Sequence, residues 1–329
     1  MKFSVHVPFM PVRPDQIGPV AALVQRANTR LWLGQALAIE PHQVFAYAAG
    51  LGHRIPVGTS VTLMPLRHPY EAALQARSLA MLTGQPAVAG YGPGPVDFQR
   101  ATGGRYRSPL TATREYLTTV RGLLDGETIH LNGEYFRLEG TLPPFPHEHV
   151  EVGVGVLRPA MARLAGEVAD VAITWLCPPA YIRDVLKPEL GGRTRVVSVV
   201  HVAQRKPGRD LDRVAFSVCG RHLQAPHYVS MLNQAGVAVD PTDPESGARR
   251  LVEEGLFLTG TLPEIVAGLR EYHAAGVDEV VLNLSGVGAV HGDAVAVREL
   301  EFLLGELGLV THERAARAAV SAARTPVIR

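Results

Sequence analysis

Only two cysteines, Cys177 and Cys219, occur in the 329 residues, and no CxxC pair exists. They cannot form a disulfide framework, which points to a reducing compartment, the cytoplasm. Neither sign of charge is in excess, with Lys+Arg 32, Asp+Glu 31 and a net charge of +1. That balance argues against nucleic acid or an anionic membrane as the main partner. No uncharged apolar run approaches the roughly 20 residues of a membrane-spanning helix. The N-terminus opens on a strand-like run, so no signal peptide is expected. The thirteen histidines show no metal-ligand spacing to Cys, Asp or Glu, and no metal is expected. Solenoid-type repeats are absent as well.

What is present is a core-forming composition, 47% hydrophobic against 19% charged, and a rhythm. Eight short apolar runs alternate with helix-like segments: Lys2–Phe9, Arg30–Gly34, Ile55–Leu63, Pro86–Gly92, His149–Gly155, Val171–Leu176, Arg195–Ala203 and Glu279–Leu284. Strands covered by helices on both faces read as continuous apolar runs, because neither face meets water. Eight such alternations predict a (β/α)8 TIM barrel with insertions, one domain over 1–307 followed by a tail, 308–329, read as a loose helix or disordered. In that fold the chemistry sits at the C-terminal ends of the strands.

Between the runs, helices are expected over Gln16–Asn28, Pro41–Gly52, Tyr70–Leu82, 109–124, Asp210–Ala235 and Ala248–Gly255. Another opens at Thr261, whose hydroxyl and Glu264 make a capping box. Asn132-Gly133 between alternating runs predicts a hairpin near Thr128–Arg137. The glycine-rich stretch from Gly90 to Arg107 reads as a loop over the barrel mouth.

Gly153-Val-Gly155-Val-Leu-Arg158-Pro159 is the strongest local signal for chemistry. It ends a strand and starts a helix, Ala160–Ala169. Glycine lets backbone approach a ligand, and free amides at a helix start favour an anion. Arg158 can add a charge-assisted bond to phosphate. Glycine at a βα turn also serves packing alone, and that alternative stays open at this stage. His6 and His201, near strand ends, are candidate proton-handling groups, although a histidine on an apolar strand is commonly a core residue. Tyr91, between Gly90 and Gly92, is either a polar lining residue or a plain aromatic of the mouth.

Several segments together resemble the bacterial luciferase-like superfamily of flavin- and deazaflavin-dependent oxidoreductases. They are Pro56–Gly84, Gly90–Gly126 with the GEYF hairpin (Gly133–Phe136), Val152–Pro179 and Thr259–Asn283. The resemblance implies that Gly155, Val156, Leu157 and Arg158 with Thr174, Trp175 and Leu176 hold the cofactor's phosphate and ribityl chain. It implies a bulge with a non-prolyl cis peptide around Thr59, Ser60 and Val61 against the ring, and room for the ring or substrate at Gly90. The Val152–Pro179 stretch is closer to the coenzyme F420 branch than to the FMN branch, and Arg105, Arg107 and Arg158 are candidates for the acidic F420 tail. Relatives that oxidise alcohols carry an acidic residue and His after the second strand, where this chain has Gln35 and Ala36, and a Glu in the fourth-strand loop, where it has Pro93. The loss of that pair implies a reductase delivering hydride to an activated double bond of a small organic substrate. Gln35 is a candidate site residue by position only. An FMN monooxygenase served by a partner reductase, and a barrel that binds a flavin without turnover, are the alternatives. The superfamily also implies a homodimer, across Tyr70–Leu82 and Leu110–Leu124.

Overall fold

The computed structural model describes residues 2–310, so the predicted tail from 311 onward lies outside the described residues. All eight apolar runs form strands: β1 (Lys2–His6), β2 (Leu31–Leu33), β3 (Val57–Thr59), β4 (Ala87–Gly92), β5 (Val150–Gly155), β6 (Val171–Trp175), β7 (Arg195–Gln204) and β8 (Glu279–Asn283). They pair in parallel, each with the next, and β8 pairs back onto β1, closing the barrel. The third run is interrupted by a cis peptide between Ser60 and Val61, after which Thr62–Leu63 pairs with the end of β4.

Helices cover the outside: α1 (Ile17–Arg26), α2 (Pro41–Gly50), α3 (Pro69–Thr83), α4 (Pro109–Leu124), α5 (Pro159–Val168), α6 (Leu211–Leu223), α7 (Pro226–Gln234), α8 (Leu262–Ala274) and α9 (Asp293–Glu306). Local chemistry sets their ends. α3 stops at Gly84, whose φ of +60° is a left-handed cap that glycine adopts without a Cβ clash. α8 begins with the Thr261/Glu264 capping box. Two expectations need correction. The single helix over Asp210–Ala235 is two, because Pro226 has no amide to donate and holds Ala225 extended. The Gly90–Arg107 loop contains a short helix, Val96–Ala101, started after the extended Pro95.

Strand parity sorts side chains into two apolar layers. Val5, Val7, Val152, Val154, Val196, Val200, Val280 and Leu282 face the helices. Trp32, Val88, Val171, Ile173, Val197, Val199 and Val281 fill the barrel interior. Gly58 makes room for the largest of them, since a Cβ there would lie 2.6 Å from the Trp32 ring. The interior thus has a solid middle, with a charged floor at the N-terminal end and a mouth at the other.

Candidate active site

The mouth is built from inward-facing residues near or just beyond the C-terminal end of each strand, and its two halves differ. On one half these are Gly34, Gly92 and Gly155, with Ser60 and Val61 at the cis peptide between them. On the other half they are Trp175, His201, Asn283 and His6. His201 stands opposite Asn283 on β8, and the β1–β8 register carries His6 to Asn283's other side.

The bare half is shaped by backbone. A Cβ on Gly34 would meet the Ser60 carbonyl at 2.9 Å, and one on Gly92 would meet Val61 at 2.9 Å. At Gly155 such a Cβ would make ordinary contacts, with the Val61 methyls at 3.7 Å and the Tyr91 carbonyl at 3.9 Å, so a Cβ fits there without a clash. From Gly155 the chain runs into α5. Arg158 is its extended N-cap, Pro159 its first residue, and no side chain caps it. Pro159 has no amide and the Met161 and Ala162 amides donate to the Arg158 carbonyl (3.1 Å each), so in the first turn the Ala160 amide is the one left for a ligand, with those of Leu157 and Arg158 just before it. The Arg158 side chain is exposed and makes no ion pair among the described residues.

The other half is aromatic and uncharged. The Trp175 ring lies edge-on to His6 (centroids 5.6 Å) and to His201 (5.1 Å), and stacks on His222 (5.5 Å). Tyr228 stands edge-on to His222, and Phe257 stacks on His201. Burial pushes His6 and His222 down to about 4 and His201 well below its ordinary value; the neighbouring His222 and His6 push His201 further. His227, at the edge, is lowered by burial and then by Arg158. Six buried polar atoms here lack a protein partner: Ser60 Oγ, His6 Nε2, both His201 ring nitrogens, Trp175 Nε1 and Asn283 Nδ2. A buried polar atom left unpaired is costly, so a mouth that gathers six is made to receive a polar ligand.

The depressed histidines make the fold acid-sensitive. In the unfolded chain they take up protons near 6.5, whereas folded His6 does so near 4. Their contribution is complete above 6.5 and is lost as pH falls through about 4. For His6 alone the slope is about 1.4 kcal/mol per pH unit in that window. Urea unfolding at pH 7 and pH 5 checks this, and equal stabilities would refute it.

The structure redistributes the residues singled out from sequence. His6, Ser60, Val61, Gly155 and Trp175 line the mouth, with Leu157 and Arg158 at its edge. Gln35 sits at the rim, where its amide N–H donates to Val61 O (3.0 Å) and its side-chain oxygen accepts from Arg67 (3.2 Å). His201 is beneath the rim, 1% exposed. Six residues do not serve as expected. Tyr91 faces the helices, donating its hydroxyl to Ala72 O (3.2 Å) beside Tyr116, and burial raises its pKa. Thr174 faces outward and donates to Ser198 (2.9 Å). The Val156 side chain is in the outer layer, and its amide donates to Ile173 O (2.8 Å). The Thr59 hydroxyl is used on Gly90, accepting from its amide (2.8 Å) and donating to its carbonyl (3.0 Å). Gly90 leaves no ligand room, because a Cβ would lie 2.1 Å from Thr59 O and 2.5 Å from Ile173 Cδ1. Leu176 is buried in the outer layer, with a φ of +55° that turns the chain sharply after Trp175. Asn283, His222 and Tyr228 were missed. Asn283 ends the eighth apolar run and carried a strand-end signal, whereas His222 and Tyr228 arrive on helices folded over the mouth.

A parallel barrel with an unfilled C-terminal rim is the frame of an enzyme that works at that rim. The chain belongs to the luciferase-like monooxygenase family, whose model matches residues 20–279, and is an oxidoreductase of that family. It is 34% identical over 116 residues to a 5,10-methylenetetrahydromethanopterin reductase of Methanolobus tindarius, covering 35% of this chain and 36% of that one. It is 28% identical over 210 residues to a phthiodiolone/phenolphthiodiolone dimycocerosates ketoreductase of Mycobacterium kansasii, covering 62% and 52%. The matches thus span about half or less of these relatives. Among solved structures, the coenzyme F420-dependent tetrahydromethanopterin reductase of Methanopyrus kandleri superposes with a TM-score of 0.69 at 19% identity, over 92% of this chain and 98% of that one. A type II Baeyer–Villiger monooxygenase of Pseudomonas putida in complex with FMN superposes with a TM-score of 0.65 at 15% identity, over 92% and 96%. At such identities the superpositions speak for the fold. Among the described residues no helix is long and apolar enough to cross a membrane, and no three His, Cys, Asp or Glu side chains gather as metal ligands.

Proposed function

We propose that this protein is a coenzyme F420-dependent reductase that delivers hydride to an activated double bond of a small organic substrate. The observation that carries the reading is the bare half of the mouth, where Gly155 presents backbone without a side chain beside a helix start that no side chain caps. A flat ring fits against the Gly34–Ser60–Gly92–Gly155 surface, and a phosphate fits the amides around Arg158. The relatives named above support the reductase side, since two are called reductase and ketoreductase. Hydride chemistry comes with the bound deazaflavin. The chain's own part is to hold the ring against backbone, to grip its phosphate and to exclude water with Trp175 and its neighbours. The proposal includes a homodimer, for which exposed Leu74, Met81, Leu82 and Leu110 supply an apolar face; a native mass of one chain would remove it.

Anaerobic titration with coenzyme F420 and with FMN tests the assignment. F420 is expected to bind tightly and FMN weakly. Tight FMN binding with none of F420 would instead favour a monooxygenase fed by a partner reductase, the reading kept open by the FMN-bound neighbour. Arg158→Ala is expected to weaken F420 binding about tenfold, the loss of one charge-assisted hydrogen bond. Unchanged affinity would remove Arg158 from the phosphate site.

A further inference from the structure

The loop that leaves the bare half of the mouth, 93–107, is built around one side chain. Its short helix Val96–Ala101 is exposed or half-exposed throughout except at Gln99, which is 1% exposed. A side-chain amide is buried at little cost only when its donors and acceptor are used, and here they go to both ends of the loop. Gln99 Nε2 donates to Pro93 O (3.1 Å) and to Gly94 O (2.9 Å), and its Oε1 accepts from the Tyr106 amide (3.0 Å). These partners fix which way round the amide lies, since a carbonyl only accepts and a backbone N–H only donates. The Gln99 carbonyl also accepts from the Gly104 amide (3.1 Å), which folds the intervening turn back onto the helix. Beyond Gln99, only Pro93, Gly94, Phe98 and Tyr106 of the loop are even half-buried. Hydrogen bonds to one glutamine, rather than a core, give this loop its shape.

The far end of the loop is anchored independently of Gln99. Tyr106 lies edge-on to Tyr135 (centroids 5.3 Å), and the Tyr135 hydroxyl accepts from the Ser108 amide (2.7 Å). Tyr135 sits at the tip of the hairpin, where the amides of Glu134, Tyr135 and Phe136 all donate to the Glu115 carboxylate on α4 (2.7, 3.0 and 3.1 Å). The near end has no such anchor. It leaves β4 at Gly92, a residue of the mouth, and turns at Gly94, whose φ of +71° glycine adopts without a Cβ clash. Both backbone carbonyls of that turn are held by the Gln99 amide and by no other group.

We infer that Gln99 is a positioning residue: it holds 93–107 as a folded cover beside the bare half of the mouth, and that cover sets how long a bound cofactor stays. Without the Gln99 amide the near end loses its strut, and the loop swings open from its anchor at Tyr106 and Ser108. Opening of such a cover is a common limit on ligand release. Gln99 itself faces the loop's own backbone, so its effect on a ligand is indirect. The assignment rests on the reading of the mouth as the cofactor site and adds what retains the cofactor there.

The loop carries its own reporters, the exposed Arg100, Arg105 and Arg107. Trypsin cuts after them when the loop opens, and peptide masses locate the cuts. Full-length wild type and Gln99→Met, which keeps the length of the side chain and removes its amide, are digested without cofactor, with coenzyme F420 and with FMN. Release of bound F420 is timed by stopped flow. Gln99→Met is expected to be cut in the loop, and to release F420, about tenfold faster than wild type, the scale of a lost hydrogen bond. Its urea midpoint is expected to stay at the wild-type value, and bound F420 to slow the cutting of wild type. Equal cutting of the two proteins, release of F420 at the wild-type rate, or a lowered urea midpoint would overturn the assignment. Wild type that binds F420 and is cut no more slowly would overturn it too. If FMN slows the cutting and F420 does not bind, the cover stands and the deazaflavin reading falls. Should Gln99→Met fail to fold, Gln99→Glu, which keeps the acceptor toward Tyr106 and loses both donors, takes its place with the same expectations.

Discussion

Gly155→Leu is expected to leave the barrel folded and to weaken coenzyme F420 binding by at least tenfold. The reasoning is steric. A Cβ at 155 makes ordinary contacts, with the Val61 methyls at 3.7 Å and the Tyr91 carbonyl at 3.9 Å, and the backbone there is not in the left-handed region that excludes larger residues. The leucine Cβ therefore clashes with nothing, and the rest of the side chain is expected to occupy the space assigned to the cofactor ring. Forcing a ligand against that much extra volume costs about 1–3 kcal/mol, ten- to a hundredfold in affinity. Gly90→Ala is the contrasting case on the neighbouring strand, β4. Its Cβ would lie 2.1 Å from the Thr59 carbonyl and 2.5 Å from Ile173, so that change damages the barrel itself. Fluorescence titration with F420 beside a urea curve separates the two. Native affinity in Gly155→Leu would refute the placement of the ring.

The barrel was legible in the sequence because its strands are buried on both faces, and burial on both faces writes an uninterrupted apolar run. Helix ends were legible where a side chain decides them, as at Thr261. The split at Pro226 was also written in the chain, because a proline lacks the amide that a continuous helix needs there. The site was only half legible. Glycines mark strand ends, but which side of the sheet each residue faces follows from parity counted along the whole strand. Counting back from Trp175 through Ile173 to Val171 puts Thr174 on the helix side. The same count along β4 sends Tyr91 outward, and along β5 it sends Val156 outward. The histidine half was not legible at all as a unit. His6, Trp175, His201, His222 and Asn283 lie on five separate elements, and only closure of β8 onto β1 and the fold of α6 and α7 over the rim bring them together.

At the other end of the barrel, Glu279→Ala is expected to cause the largest loss of stability of any change considered. Glu279 is 2% exposed at the start of β8. It accepts from Trp32 Nε1 at 2.9 Å, from Arg30 at 3.2 Å and from Arg195 at 3.4 Å. Arg195 in turn holds Glu151 through two bonds of 2.8 and 2.7 Å. Two guanidinium groups and two carboxylates thus form a neutral floor beneath the apolar middle of the barrel. Removing one carboxylate leaves an uncompensated positive charge and an unpaired indole N–H inside the sheet. Breaking a buried ion pair from one side costs about 3–5 kcal/mol, far more than the exposed Arg13–Asp15 pair, whose kind contributes about 0–1 kcal/mol. Glu279→Gln keeps an acceptor for Trp32 and loses only the charge, so it is expected to fall between wild type and Glu279→Ala. Because the floor lies a full strand length from the rim, F420 affinity in the folded fraction should not change with either substitution. Urea midpoints for the three proteins check the order, and a stability loss below about 1 kcal/mol in Glu279→Ala would show that water reaches the floor and screens its charges.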